Sequence, residues 1–345
     1  MEPGMSEAVP GPVLIGVEGL ELSARERDWL AHPAVGGVVL FARNYADIGQ
    51  LEALNASIRE AAVAPMLICV DHEGGRVQRF HDGFTRLPPL ALLGRMYADA
   101  PDTAADFAYR HARVMATELL VAGVDLSFAP VLDLDVESCV IGNRSFGADP
   151  EVVATLGRHY LAGLHDSGMK ACGKHFPGHG SVRADSHVDT VTDPRGWDAI
   201  AASDLKPFQA LLPELDSLMM AHVIYPEVDE RPAGYSGRWV RDILRGQLGY
   251  GGVVFSDDLG MQAAGFAGGI ADRLALALEA GCDAALVCHH EEVAELLPRL
   301  GDVAPCPALA RLAGVVSVTR EELATVSEWR HWQQSLLSLE QSQWA

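Results

Sequence analysis

The chain has 345 residues, 49% of them hydrophobic and 21% charged, which is enough apolar material for a sizeable core and excludes wholesale disorder. Its 47 acidic against 26 basic residues give a formal charge of −21. That balance argues against a nucleic-acid partner, because a phosphate backbone demands a basic surface, and against an anionic membrane surface; it is read as serving solubility.

Taken in chain order, residues 1–12 carry two acids, no Lys or Arg and no long apolar run, so they are read as a flexible leader and not as a secretory signal. No later stretch approaches a membrane span. Short apolar runs follow at 13–17, 37–41, 66–70, 125–129, 169–173, 217–221, 252–255 and 283–287. Between most of them lie helix-like stretches at 48–62, 104–122, 150–167, 199–212, 240–248 and 271–280. Gly123, Gly168, Gly249 and Gly281 stand where helix C-termini should stop in the left-handed conformation. Continuous apolar strands alternating with helices predict a parallel sheet covered on both faces, and eight of them predict a (β/α)8 barrel. The alternative is a doubly wound open sheet.

The residues just past each strand favour the barrel: Glu18, Arg43, Asp71, Asp133, Lys174 with His175, His222, Asp257 and Cys288. Barrel enzymes spread their chemistry around that rim, whereas an open sheet concentrates it at one switch point. Residues 315–345 read as two helical pieces that pack Trp329, Trp332 and Trp344 on the outside. No linker, repeat or second domain is visible, so 1–345 is expected to form one domain. Six cysteines (Cys69, Cys139, Cys172, Cys282, Cys288, Cys306) include no Cys-x-x-Cys pair and suit a reduced, cytoplasmic location.

Four polar clusters punctuate this pattern. Asp71, at a strand tip, can accept two sugar hydroxyls, with Arg79 as a fixed cation and Arg76 paired to a neighbouring acid. Gly74-Gly75 is a weak phosphate signal, since no helix follows directly. Arg144, in the loop after strand 4, is read either as a ligand for a carboxylate or acyl oxygen or as half of a surface ion pair. Lys174 and His175 look like ligand-binding donors, the dull reading being a snorkelling lysine and a satisfied histidine. Asp185 and His187, two residues apart, suit a carboxylate that orients an imidazole for proton transfer, on a loop made pliable by Gly178 and Gly180. His179 shapes that loop. A metal held by His175, His179, Asp185 and His187 is the second reading, because the spacing fits no zinc pattern. Finally, Asp257 at the tip of strand 7 suits a nucleophile or electrostatic stabiliser, while Asp258 turns away to cap the next segment.

Together these segments resemble the single-domain bacterial β-N-acetylglucosaminidases of glycoside hydrolase family 3. The resemblance rests on Asp71, Glu73-Gly74-Gly75-Arg76-Val77 and Arg79; on Asn143-Arg144-Ser145-Phe146; on Lys174-His175-Phe176-Pro177-Gly178-His179-Gly180; on Asp185 with His187; and on Ser256-Asp257-Asp258-Leu259 with Met261. It spans roughly 13–287. It implies that Asp257 is the nucleophile, His187 the general acid/base and Asp185 its carboxylate partner. Asp71, Arg79, Arg144, Lys174 and His175 are implied to bind an N-acetylglucosamine unit. The implied reaction is retaining hydrolysis of terminal β-linked N-acetylglucosamine, chiefly from cell-wall muropeptides during cytoplasmic recycling; the enzyme is expected to be a monomer with no cofactor or metal. Its partner is then a small carbohydrate, not nucleic acid or membrane. One departure is His72, where the family usually has glutamine. A β-N-acetylglucosaminide phosphorylase and a catalytically silent muropeptide-binding barrel are the competing expectations.

Overall fold

The computed structural model describes residues 8–182, 191–261, 268–301 and 303–342. Eight parallel strands form one sheet: β1 (Val13–Gly16), β2 (Val35–Leu40), β3 (Leu67–Val70), β4 (Leu126–Ser127), β5 (Cys172–Phe176), β6 (Ser217–Met220), β7 (Val253–Asp258) and β8 (Ala284–Val287). Their order is β4-β3-β2-β1-β8-β7-β6-β5. The two outer members then meet each other. Cys172 N donates to Ala129 O at 2.9 Å, Lys174 N to Pro130 O at 3.1 Å and Leu132 N to Lys174 O at 2.8 Å, so the sheet closes on itself. This is the (β/α)8 barrel expected from the strand rhythm, and its closure removes the exposed edges an open sheet would leave.

The two-residue period of a strand sorts the apolar side chains into two layers. Leu14, Val39, Cys69, Met219, Phe255 and Leu286 belong to one cluster, and their neighbours Ile15, Val38, Ile68, Leu218, Val254 and Ala285 to another. The first cluster fills the barrel interior: the rings of Phe128 and Phe255 touch with centroids 5.6 Å apart although β4 and β7 are not neighbours. The second packs against the surrounding helices. Both faces are buried, which is why the strands read as unbroken apolar runs.

The helix Pro150–Ser167 shows how local signals set the frame. Asp149 caps its start by accepting from Glu151 N at 2.9 Å, Pro150 needs no amide partner there, and Gly168 (φ 87°) ends it. Other expectations shift. The stretch 199–212 divides into Trp197–Ala202 and Leu205–Leu211, and 240–248 becomes a π-type helix, Arg238–Gln247. Residues 10–12, expected in a flexible leader, instead pack against the barrel: Pro10, Gly11 and Pro12 are buried, with Pro10 O accepting from Cys306 N and Pro12 O from Ala285 N. Leu309 and Leu312 plug that end of the barrel. The tail forms Arg320–Thr325 and Ser327–Ser342; Trp329 is buried against Trp332, whose ring meets Tyr109, while Trp344 lies outside the described residues. Among the described residues no helix is long and apolar enough to cross a membrane.

Candidate active site

Strand 5 lies three residues further along than its apolar run suggests, so Lys174 and His175 are part of the strand itself. At the tip of β3, on the far side of β4, the chain turns into a short hairpin, His72–Gly74 against Val77–Gln78. Its reversal uses Gly74 and Gly75 at positive φ, and a Cβ on Gly75 would stand 2.7 Å from Pro89 Cβ. The glycine pair is therefore a packed turn and not a phosphate cradle.

The hairpin aims Asp71 and Glu73 at Lys174. The ammonium lies 2.5 Å from Asp71 Oδ1 and 2.7 Å from Glu73 Oε1. Arg144, from the turn Gly142–Arg144, grips both oxygens of Glu73 at 2.8 Å. Arg79 stands 3.7 Å from Asp71 Oδ2. Charges of opposite sign thus alternate through a nearly dry cluster, since Lys174 and Glu73 expose only 1% and 2% of their side chains. Burial alone would favour neutral Glu73, but the Arg144 and Lys174 cations prevail and hold its carboxyl far below the usual range. Burial likewise opposes the Lys174 charge, and Asp71 with Glu73 outweighs it, so the ammonium is held more firmly than in water. Arg76 donates to Asn143 Oδ1 and to the carbonyls of Val140 and Ile141, tying the Arg144 loop to the hairpin.

On the opposite rim Asp257 and Asp258 end β7. Asp258 Oδ1 accepts from Gly260 N and Cys288 N at 3.1 Å each, so this carboxylate shapes the turn and stitches it to the end of β8. Burial and then the nearby Asp257 charge raise its pKa. Asp257 Oδ1 accepts from Asp258 N at 2.8 Å. Between the two rims lies one cavity of about 630 Å³, a size that suits a sugar with part of its aglycone. Asp71, Arg79, Arg144, Lys174, His175 and Asp257 all line it, together with Phe41, Met219 and Met261.

Not every rim residue shares that space. Arg43 spends its donors on Val17 O and Cys288 O, bolting strand ends together, and Glu18 is exposed. His72 turns away from the cavity, buried against Phe80 and Phe84 with ring centroids 5.6 Å from each. Asp185 and His187 lie outside the described residues. The chain leading to them lines the cavity at His179, and the chain leaving them pairs Val191–Thr192 in parallel with Val223–Tyr225. Two residues passed over in the sequence emerge as organisers. Glu73 is the common anchor of Lys174 and Arg144, and Asp133 Oδ2 accepts from the backbone of His175 and lies 2.7 Å from its ring Nδ1. The sequence signal for Asp133 was its place just past a strand, and for Glu73 its place in the motif after strand 3; neither pointed to a role. Among the described residues no group of three His, Cys, Asp or Glu is arranged to hold a metal ion.

Comparison with known proteins places this architecture. The model of the glycosyl hydrolase family 3 N terminal domain matches residues 11–325. The chain is 57% identical over 286 residues to a beta-hexosaminidase of Stenotrophomonas maltophilia (strain K279a), covering 83% of this chain and 85% of that one. It superposes with a TM-score of 0.91 on NagZ from Neisseria gonorrhoeae in complex with N-trifluoroacetyl-D-glucosamine, at 42% identity over 97% of this chain and 99% of that one. A beta-N-acetylhexosaminidase from Beutenbergia cavernae matches with a TM-score of 0.73 at 27% identity, over 96% and 95% of the two chains. A closed barrel whose rim sets carboxylates against a cationic bed is, with these relatives, a glycoside hydrolase. The chain belongs to glycosyl hydrolase family 3, and its activity is that of a β-N-acetylhexosaminidase.

Proposed function

We propose that the enzyme is a retaining exo-β-N-acetylglucosaminidase that removes terminal, non-reducing β-linked N-acetylglucosamine by double displacement. The observation that carries this reading is the convergence of Asp257 with Asp71, Arg79, Arg144, Lys174 and His175 on one cavity. In the first step Asp257 attacks the anomeric carbon while His187, oriented by Asp185, gives its proton to the departing glycosidic oxygen. A covalent glycosyl-enzyme results. In the second step His187 takes a proton from water as that water displaces Asp257, restoring the original anomeric configuration. Such chemistry needs the two groups on opposite sides of the bond, about 5 Å apart. An imidazole suits the proton shuttle because its unperturbed pKa lies near neutrality.

The five binding residues hold the sugar ring. Asp71 accepts hydroxyls, and the cations of the bed donate. We further propose that the natural substrates are N-acetylglucosaminyl-anhydromuropeptides met during peptidoglycan recycling in the cytoplasm. The relative solved with N-trifluoroacetyl-D-glucosamine supports a site built for an N-acylated glucosamine.

The test is product analysis with a defined N-acetylglucosaminyl-anhydromuropeptide, with and without inorganic phosphate. Free N-acetylglucosamine released first as the β-anomer is expected in both conditions. Sugar 1-phosphate appearing with phosphate present would replace hydrolysis by phosphorolysis. Binding without turnover would reduce the protein to a muropeptide sensor.

A further inference from the structure

We propose that Asp133 is a positioning residue of this reaction: it sets the tautomer and the aim of the His175 imidazole at the wall of the sugar cavity. The inference rests on the reading of His175 as a group that touches the sugar. Asp133 lies just beyond the seam where β4 meets β5, two residues past the Val131–Lys174 bridge. Its side chain is fully buried. Three donors converge on its two oxygens. Oδ2 accepts from His175 N at 3.1 Å and lies 2.7 Å from His175 Nδ1, and Oδ1 accepts from His179 N at 2.7 Å. Its own carbonyl is held by Ser145 Oγ at 2.5 Å, so the carboxylate has little room to swing.

Burial by itself would favour the neutral acid, but His175 and the amide donors overcome it, and the carboxyl sits below its ordinary range. An ionised carboxylate can only accept. The proton between it and the ring therefore belongs to Nδ1, which leaves Nε2 as the nitrogen for a ligand. Among the described residues no partner meets Nε2, while the residue lines the cavity. A carboxylate behind a functional imidazole fixes both the proton's position and the ring's orientation, and here it does so for a side chain that reaches the substrate. The same carboxylate pins the backbone at His179, so one buried charge registers the end of β5 and the start of the segment that leads towards His187.

A purely structural carboxylate would hold the backbone without governing the ring, and experiment separates the two. In wild-type enzyme labelled with 15N-histidine, the His175 resonances (assigned by difference from His175→Gln) should report Nδ1–H with Nε2 unprotonated in the neutral ring. Asp133→Asn replaces one acceptor by an NH2 group that faces a donor, and kcat/KM for an aryl N-acetyl-β-glucosaminide should fall about 10²-fold, the cost of a misplaced group. Because Asp133 acts through His175, the Asp133→Asn, His175→Ala double variant should match His175→Ala within about twofold. Losses that multiply, or an Asp133→Asn variant with wild-type kinetics, overturn the proposal. An Nε2–H tautomer in active wild-type enzyme overturns it as well, leaves the hydrolase reading untouched, and decides the matter if Asp133→Asn does not fold. A His175→Ala variant with wild-type kinetics would instead remove the sugar-binding role of His175, and the proposal would fall with it.

Discussion

Arg144 closes a two-point salt bridge on Glu73, with Nε and Nη2 each 2.8 Å from a carboxylate oxygen, across 71 positions of sequence. The Arg144 side chain is only 9% exposed, so the pair belongs to the foundation of the cavity and is not a surface contact. Removing one partner of such a pair is costly because the other is left charged in a dry site.

Glu73→Gln should therefore destabilise the fold by about 3–5 kcal/mol, since it leaves Lys174 and Arg144 with too little negative charge. Arg144→Lys is not a conservative change, because one ammonium cannot hold both oxygens. It should lower kcat/KM about tenfold, roughly 1.4 kcal/mol, with a smaller loss of stability. Urea denaturation and steady-state kinetics on both variants check this. An unchanged unfolding midpoint for Glu73→Gln would refute the foundation role.

Asp257→Ala should fold normally, since this carboxylate stands at a partly exposed strand tip, and should lose about 10⁴-fold or more in kcat. Added azide should restore turnover of an aryl glycoside by filling the vacated space, yielding the azide of inverted configuration. Turnover at the wild-type rate would transfer the nucleophile's role to another residue.

His187→Ala should distinguish leaving groups. Natural alcohols need a proton as they depart, whereas a dinitrophenolate does not, so kcat/KM should fall far more on the disaccharide than on the activated aryl glycoside. Equal losses on the two would contradict the acid/base role.

His72 and His111 should make the fold sensitive to acid. Burial, followed by the neighbouring His81, His111 and Arg79 charges, pushes His72 down to about 3, and burial brings His111 to about 4. In the unfolded chain both imidazoles take a proton near pH 6.5. Folded-state pKa values are depressed, so the unfolded chain binds more protons in this window. The stabilisation is complete above about pH 6.5 and is lost progressively as pH falls towards 4 and 3. His72→Gln should flatten the decline by up to about 1.4 kcal/mol per pH unit. Denaturation midpoints at pH 7.5, 6 and 5 test this; parallel curves for variant and wild type would exclude it.

The barrel was legible because each strand is buried on both faces, which leaves an uninterrupted apolar run such as Leu67–Val70 between turn residues. Strand 5 was misplaced for the opposite reason. Lys174 and His175 look unlike strand residues, yet they belong to β5 because their charge and ring are satisfied by Asp71, Glu73 and Asp133. Asp71, Arg79, Lys174, His175 and Asp257 could be picked out as chemistry because they stand at strand ends in recurrent motifs. Arg144 was left between two readings, and Glu73 and Asp133 had no role, for one physical reason. Their partners lie 71 and 42 positions away, and only the closed sheet brings them together. The effect of His72, where the family usually has glutamine, could not be read from the sequence, because hairpin geometry turns it into an aromatic cluster.

The joint between β4 and β5 also underlies one wall of the cavity: Asp133 and the Arg144 loop arrive from one side of it, Lys174 and His175 from the other. A polypeptide opened there, by circular permutation or proteolytic nicking, would forfeit its grip on sugar even with every helix intact. Conversely, a sugar mimic gripped from both sides of the joint should clasp the cylinder shut, raising its folding stability with the logarithm of ligand concentration over dissociation constant.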